Sequence, residues 1–173
     1  QSSQKKVCFL FAVGCLCLDM IFSYKNLSTI IFLFFLSSCS LKDDTFTNEG
    51  ALILTHDSVD REYLLHVPEN YDSTISHPIV FNFHGYGGTA TDHMYSADLR
   101  PISDTAGFIL VYPQGLASND GFPHWNIAEN GGDNKSNSDD FGFIVSLINE
   151  LSLEYNIDED RIYACGYSNG AGF

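Results

Sequence analysis

The chain has 173 residues, enough for one domain. Apolar residues make up 45% of the chain and aromatic residues 14%, which is enough to build a hydrophobic core. Its formal net charge is −14, with only eight lysine and arginine residues. So few cations argue against nucleic acid or an anionic membrane surface as a partner, because neither is bound without basic side chains. The sequence predicts no cofactor and no metal site.

The N-terminal part of the chain has the pattern of a targeting segment. A weakly basic start at Met20 leads into an apolar run, and residues 36–39, Leu-Ser-Ser-Cys, resemble a bacterial lipobox. We therefore expect residues 20–39 to be a lipoprotein signal peptide and Cys39 to carry the lipid. The polar residues 40–50 then form a tether between the lipid and the domain.

This interpretation makes residues 1–19 an extension upstream of the true start. An alternative signal begins at Lys5 and Lys6 and ends in a poorer lipobox at Cys15. Both interpretations predict a secreted protein or a cell-envelope lipoprotein, attached to a membrane only through its lipid.

The body of the chain opens with signals for strands. Two short β-type runs, 51–55 and 62–67, predict an antiparallel hairpin at the edge of a sheet. The run 78–83 is continuously apolar, as expected for a strand covered on both faces. Residues 92–106 then predict a helix with a break at Pro101.

The second half of the body continues this alternation. Residues 108–112 predict another buried strand, a long loop covers 116–138, a second helix follows, and residues 161–166 predict the last strand. Strands that alternate with helices are typical of a mostly parallel sheet with crossover helices, so 51–173 is predicted to be one α/β domain. The second helix is expected to bury one face, formed by Phe141, Ile144, Val145, Ile148 and Leu151.

Two glycine-rich motifs carry the functional signal. Residues 166–170, Gly-Tyr-Ser-Asn-Gly, directly follow the last predicted strand, which is typical of a nucleophile elbow that exposes Ser168 at a sharp strand-to-helix turn. Residues 84–88, His-Gly-Tyr-Gly-Gly, follow the strand at 78–83 and match a loop that supplies a backbone N–H to an oxyanion hole. The competing interpretation is two glycine turns in an unrelated α/β protein.

With these motifs the chain resembles the α/β-hydrolase superfamily, and within it the secreted esterases known as polyhydroxybutyrate depolymerases and feruloyl esterases. The resemblance runs from about Glu62 to Phe173. Its further elements are Arg-Glu-Tyr-Leu-Leu-His-Val-Pro at 61–68, Tyr-Pro-Gln-Gly at 112–115, the loop around Trp125, and Asp-Asp-Phe-Gly-Phe-Ile at 139–144.

The resemblance implies a serine esterase in which Ser168 is the nucleophile and the N–H groups of Asn169 and of Gly85 or Tyr86 form the oxyanion hole. Feruloyl or acetyl esters on plant polysaccharide, or a polyhydroxyalkanoate-type polyester, are the implied substrates. The family places its catalytic Asp and His after the nucleophile. We therefore expect this chain to be the N-terminal portion only of an α/β-hydrolase fold, incomplete at its C-terminus and inactive by itself.

Two other functions remain open at this stage. One is a serine peptidase of the same fold, and the other is a non-catalytic surface lipoprotein that keeps the fold as a binding module.

Three aromatic and imidazole side chains are further site candidates. His124 and Trp125, in the long loop, are predicted to bind substrate, because an aromatic residue on such a loop can stack against a sugar or an aromatic acyl group. The alternative for Trp125 is that it anchors the loop to the core. His84 is expected to brace the loop at 84–88 by hydrogen bonds rather than to act as a base.

The remaining candidates receive structural interpretations. Asp139 and Asp140 are expected to cap a helix rather than to form a catalytic pair. The segment 133–139 is similar to a calcium loop, but Lys135 stands where an oxygen ligand is required. Cys165 is expected to be a small buried core residue.

Overall fold

The computed structural model describes residues 50–129 and 131–173. The predicted signal peptide, the lipidation site Cys39 and all but the last residue of the tether lie outside the described residues. No helix in the described part has the length and apolar character needed to cross a membrane. The described elements in chain order are β1 Leu52–His56, β2 Val59–His66, β3 His77–Phe83, α1 Ala90–Ser96, α2 Arg100–Ala106, β4 Ile109–Pro113, α3 Asp140–Glu154, β5 Ile157–Gly166 and α4 Asn169–Gly172.

The five strands form one sheet in the order β1-β2-β4-β3-β5. β1 and β2 are an antiparallel hairpin, and β2 pairs antiparallel with β4. β3 lies between β4 and β5 and runs parallel to both, with Val80 opposite Leu110 on one side and Tyr163 on the other. This confirms the prediction of a parallel sheet with crossover helices and an antiparallel hairpin at its edge.

A two-residue turn fixes the register of the hairpin. Asp57 and Ser58 have φ values of 51° and 64°, and His56 pairs directly with Val59. Positive φ at both central residues is the geometry of a type I′ turn, whose twist matches that of the flanking strands.

The sheet is packed on both faces, and β4 shows this most clearly. Ile109 and Val111 belong to the core that β4 shares with α3, whereas Leu110 and Tyr112 pack on the opposite face with residues of α1. All four side chains are fully buried. The continuous apolar runs therefore mark strands covered on both sides, as predicted.

The buried face of α3 differs from the predicted one. Phe141 is 38% exposed and Val145 is 58% exposed, so both lie outside the core. The helix is turned because Asp140 points inward to an ion pair with Arg61, which puts its i+3 and i+7 neighbours in the core. The fully buried apolar residues of α3 are Phe143, Leu147 and Leu151, so the predicted face is confirmed at Leu151, whereas Ile144 and Ile148 are only partly buried against the core.

Two predicted boundaries change for local reasons. The helix predicted at 92–106 is divided into α1 and α2, because Pro101 is accommodated only in the first turn of a helix and here lies in the first turn of α2. β5 begins at Ile157, four residues earlier than predicted. The pairing of β5 with β3 is irregular between Ile157 and Ile162. In this charged stretch the side chain of Arg161 donates to Asp158 at 2.6 Å.

β5 is the outermost strand of the described sheet on the side away from the hairpin. Cys165 is exposed there, so the expectation that it is a buried core residue is wrong for the described chain. The neighbouring Tyr163 is 53% exposed for the same reason.

Candidate active site

Ser168 occupies a strained turn between β5 and α4. Its φ of 51° and ψ of −114° form a backbone conformation that residues other than glycine rarely adopt, and the residue is exposed. A Cβ atom at Gly166 would overlap the backbone oxygen of Gly170 and lie 2.9 Å from that of Phe83. Larger residues at Gly166 would therefore push the strand and the helix apart, the steric condition expected of a nucleophile elbow.

The loop at 84–88 lies directly against this turn. Because β3 and β5 are parallel neighbours, their C-terminal ends meet, and the N–H of Tyr167 donates to the oxygen of Phe83 at 3.0 Å. A Cβ atom at Gly85 would lie 2.9 Å from the Tyr167 ring and 3.5 Å from the Cβ of Ser168. The two glycine motifs of the sequence thus form one site.

Backbone N–H groups are available beside Ser168. In the loop, the N–H of Gly88 donates to the oxygen of Gly85 at 3.0 Å and the N–H of Gly87 donates to the oxygen of Pro123 at 2.8 Å, and Tyr86 lies between Gly85 and Gly87. Asn169 is the first residue of α4, so its N–H has no acceptor within that helix. The arrangement is suited to stabilising an oxyanion; the assignment of Gly85, Tyr86 and Asn169 to that role stays a prediction.

His84 braces the loop from inside the protein. Its Nδ1 donates to the oxygen of Gly85 at 2.7 Å, and its Nε2 accepts from the N–H of Gly115 at 2.9 Å and from the side chain of Gln114 at 3.1 Å. Burial lowers the pKa of His84 to about 4. Since both ring nitrogens are occupied and the ring is neutral, His84 fits the bracing role and not that of a base.

Trp125 anchors the long loop to the elbow. Its side chain is fully buried, and its Nε1 donates to the backbone oxygen of His84 at 3.1 Å. Its backbone N–H and oxygen bind the side-chain amide of Asn169 at 2.9 and 3.0 Å. Because no surface of the Trp125 ring is left for a ligand, the structure favours the alternative in which Trp125 anchors the loop over the prediction that it binds substrate.

A cavity of about 270 Å³ opens beside the turn at Ser168. It contains four residues predicted for the site, Ser168, Asn169, Tyr86 and His124, and it does not include Trp125. Its other walls come from the irregular loop and the end of α4, and sequence reasoning did not assign them to this site. These further lining residues are Ile127, Asp133, Lys135 and Gly172.

Comparison with curated proteins finds esterases. The chain is 31% identical over 117 residues to a probable feruloyl esterase C of Aspergillus terreus, a match that covers 65% of this chain and 38% of that protein. It is 27% identical over 96 residues to a bifunctional acetylxylan esterase/xylanase of Neocallimastix patriciarum, covering 56% of this chain and 13% of the relative. The chain thus spans about two fifths of the feruloyl esterase. No protein-family model matches it.

Solved structures agree on the architecture. An S-formylglutathione hydrolase from Agrobacterium tumefaciens superposes with a TM-score of 0.56 at 14% identity, over 70% of this chain and 49% of the other. A thermostable esterase superposes with a TM-score of 0.52 at 22% identity, over 70% of this chain and 35% of the other. The chain has the α/β-hydrolase fold. The predicted fold class and the resemblance to feruloyl esterases are confirmed.

Within this α/β-hydrolase fold the two aspartates at the start of α3 have separate roles. Asp139 caps the helix by accepting from the N–H of Gly142 at 2.9 Å, as predicted. Asp140 is 1% exposed and instead accepts from Arg61 at 2.7 Å and from the N–H of Asn126 at 2.8 Å. Sequence reasoning missed this ion pair because Arg61 lies 79 positions earlier.

Polar side chains of the segment 133–139 are engaged in internal contacts. The side chain of Asn134 binds both backbone groups of Ala128, so its oxygen already has a donor. Elsewhere in the described part, His56, Asp57 and Asp139 bring potential metal-ligand atoms within 4.8 Å of one another. Asp139 is, however, already engaged by the cap and by His56 at 3.2 Å.

Proposed function

We propose that the protein is a serine hydrolase of carboxylic esters. The observation that carries this proposal is the exposed Ser168 on a positive-φ turn, packed against the glycine loop at Gly85. The esterase relatives support the same reaction class.

In this proposal the hydroxyl of Ser168 attacks the ester carbonyl carbon, and the alcohol leaves as an acyl-enzyme forms. The N–H groups of Asn169 and of Gly85 or Tyr86 hold the negative oxygen of the tetrahedral intermediate. Water then releases the acid and restores the serine. His84 keeps the loop in place throughout.

A general base must take the proton of Ser168. Among the described residues, none forms a hydrogen bond with its hydroxyl, and His84 is engaged on both nitrogens. We infer that the catalytic His and its Asp partner come from sequence after Phe173. The short coverage of the feruloyl esterase, 38% of its length, supports this inference.

For the substrate we propose feruloyl or acetyl esters on plant polysaccharide, with polyhydroxyalkanoate-type polyester as the other candidate. The names of the relatives, feruloyl esterase and acetylxylan esterase, support the first class.

We further propose that the protein is exported and attached to the cell envelope through a lipid on Cys39. Incorporation of an alkyne fatty acid in the producing bacterium tests this location. Labelling that is lost in Cys39→Ser supports it, and labelling that is lost only in Cys15→Ser would assign the alternative site.

The deciding experiment compares the full-length protein with its Ser168→Ala variant. Wild type is expected to hydrolyse methyl ferulate and to react with a fluorophosphonate probe, and Ser168→Ala to lose about four or more orders of magnitude of turnover and all labelling. Ser76→Ala, at an exposed loop serine, is the matched control and should behave as wild type. Failure of the probe to label wild type would support the binding module instead.

A further inference from the structure

His124 is a buried histidine with unsatisfied ring nitrogens. The residue is only 2% exposed, and neither Nδ1 nor Nε2 has a hydrogen-bond partner among the described residues. Leaving a buried polar atom unpaired is costly, so most such atoms in folded proteins are paired. His84, in the loop at 84–88, shows the ordinary outcome, with both ring nitrogens bonded.

The position of His124 indicates what completes it. The residue lines the cavity that also contains Ser168 and Asn169. The ring of Tyr86 packs against His124 edge-on, with centroids 5.8 Å apart, and Tyr86 is 41% exposed. The hydroxyl of Tyr86 donates to Asp120, so a ligand in the cavity reaches the imidazole when this bond breaks and the exposed ring turns outward.

The chemistry of the ring selects the kind of ligand group. Burial lowers the pKa of His124, which keeps the imidazole neutral with one N–H donor and one acceptor nitrogen. A hydroxyl both donates and accepts, so it complements either nitrogen. The two charged residues that line the cavity, Asp133 and Lys135, have opposite signs, and the chain carries a net charge of −14, so the cavity does not select an anionic group.

We propose that His124 is a specificity-determining residue that hydrogen-bonds a hydroxyl group of the ester bound at Ser168. The inference rests on the proposed esterase function and adds a substrate feature to it. The hydroxyl can belong to the acyl half, as in a hydroxycinnamate, or to the alcohol half, as in a sugar. A site built to pair a hydroxyl rejects an analogue that lacks it, because its own polar atom is then left unpaired.

Binding to a full-length Ser168→Ala protein tests this without turnover. The first pair of ligands is methyl 4-hydroxycinnamate and methyl cinnamate, and the second pair is an acetylated methyl xyloside and cyclohexyl acetate. We expect a preference of about tenfold in Kd for the hydroxylated member of one pair, and the pair that shows it identifies the half of the ester involved. The preference should vanish in the His124→Leu double variant.

His124→Gln provides a second variant in case the leucine protein is poorly folded, and it should keep part of the preference because an amide also donates and accepts. His66→Leu is the matched control, since His66 binds Asp104 and does not line the cavity, and it should keep the full preference. Equal affinities within both pairs, or a preference that survives in His124→Leu, would overturn the proposal. A wild-type protein that binds with this preference but hydrolyses none of the esters would contradict the proposed function alone.

Discussion

His84 is the residue whose ionisation most directly affects the site. It is neutral in the folded protein, where both nitrogens hold the loop beside Ser168, and its pKa lies near 4 instead of the ordinary 6.5. An unfolded chain therefore takes up a proton at this histidine over a pH range in which the native protein does not. The contribution of His84 to the free energy of unfolding is therefore present above pH 6.5 and is lost as the pH falls from 6.5 to about 4.

Acidification of the full-length protein from pH 7 to pH 4 should lower its free energy of unfolding by roughly 3 kcal/mol through His84 alone. Urea denaturation at the two pH values measures the change. His93 and His124 also have lowered pKa values, so the informative quantity is the difference from His84→Gln, which should lose less on acidification. An identical loss in that variant would contradict the role of His84.

Among the elements, the β1–β2 hairpin places two residues other than glycine at positive φ. Ser58, with a φ of 64°, is the position where type I′ turns favour glycine. Ser58→Gly should raise the free energy of unfolding by about 0.5–1 kcal/mol, measured as an increase in Tm. Ser76→Gly, at a position without positive φ, serves as the control and should lower it.

The ion pair between β2 and α3 gives a second prediction for an element. Arg61 and Asp140 have side-chain exposures of 2% and 0%, and Asp140 also binds the backbone of the long loop at Asn126. Asp140→Asn would leave the Arg61 charge buried without a counterion, so we expect a loss of about 3–5 kcal/mol by urea denaturation. The partly exposed pair Asp98–Arg100 is the control, and Asp98→Asn should cost about 1 kcal/mol or less.

At the scale of the whole molecule, regular patterns in the sequence predict the fold well. Continuous apolar runs identify β3 and β4, and the glycine spacing identifies the elbow. The sequence does not predict features that depend on distant partners. Asp140 points inward because it pairs with Arg61. Cys165 is exposed because it lies on the outermost strand of the described sheet. The walls of the cavity come from an irregular loop. Local periodicity carries no information about these contacts.

The separation of the site from its proposed base leads to a prediction for the chain as a unit. Residues 51–173 alone should hydrolyse methyl ferulate at least about four orders of magnitude more slowly than the full-length protein, because Ser168 would lack a base. Steady-state assays on both proteins measure the ratio, with circular dichroism to verify that 51–173 is folded. Comparable rates would show that a residue within 51–173 activates the serine.

The close approach of backbones at Gly166 and Gly170 also restricts how the site can diversify. Side chains there would collide with the main chain of the neighbouring segment, so variation at these positions is blocked by geometry whatever the substrate. At His124, Ile127 and Lys135, by contrast, the long loop contributes side chains to the cavity wall. New substrate preferences, in evolution or in a mutant library, should therefore arise from the loop while the reaction centre stays unchanged.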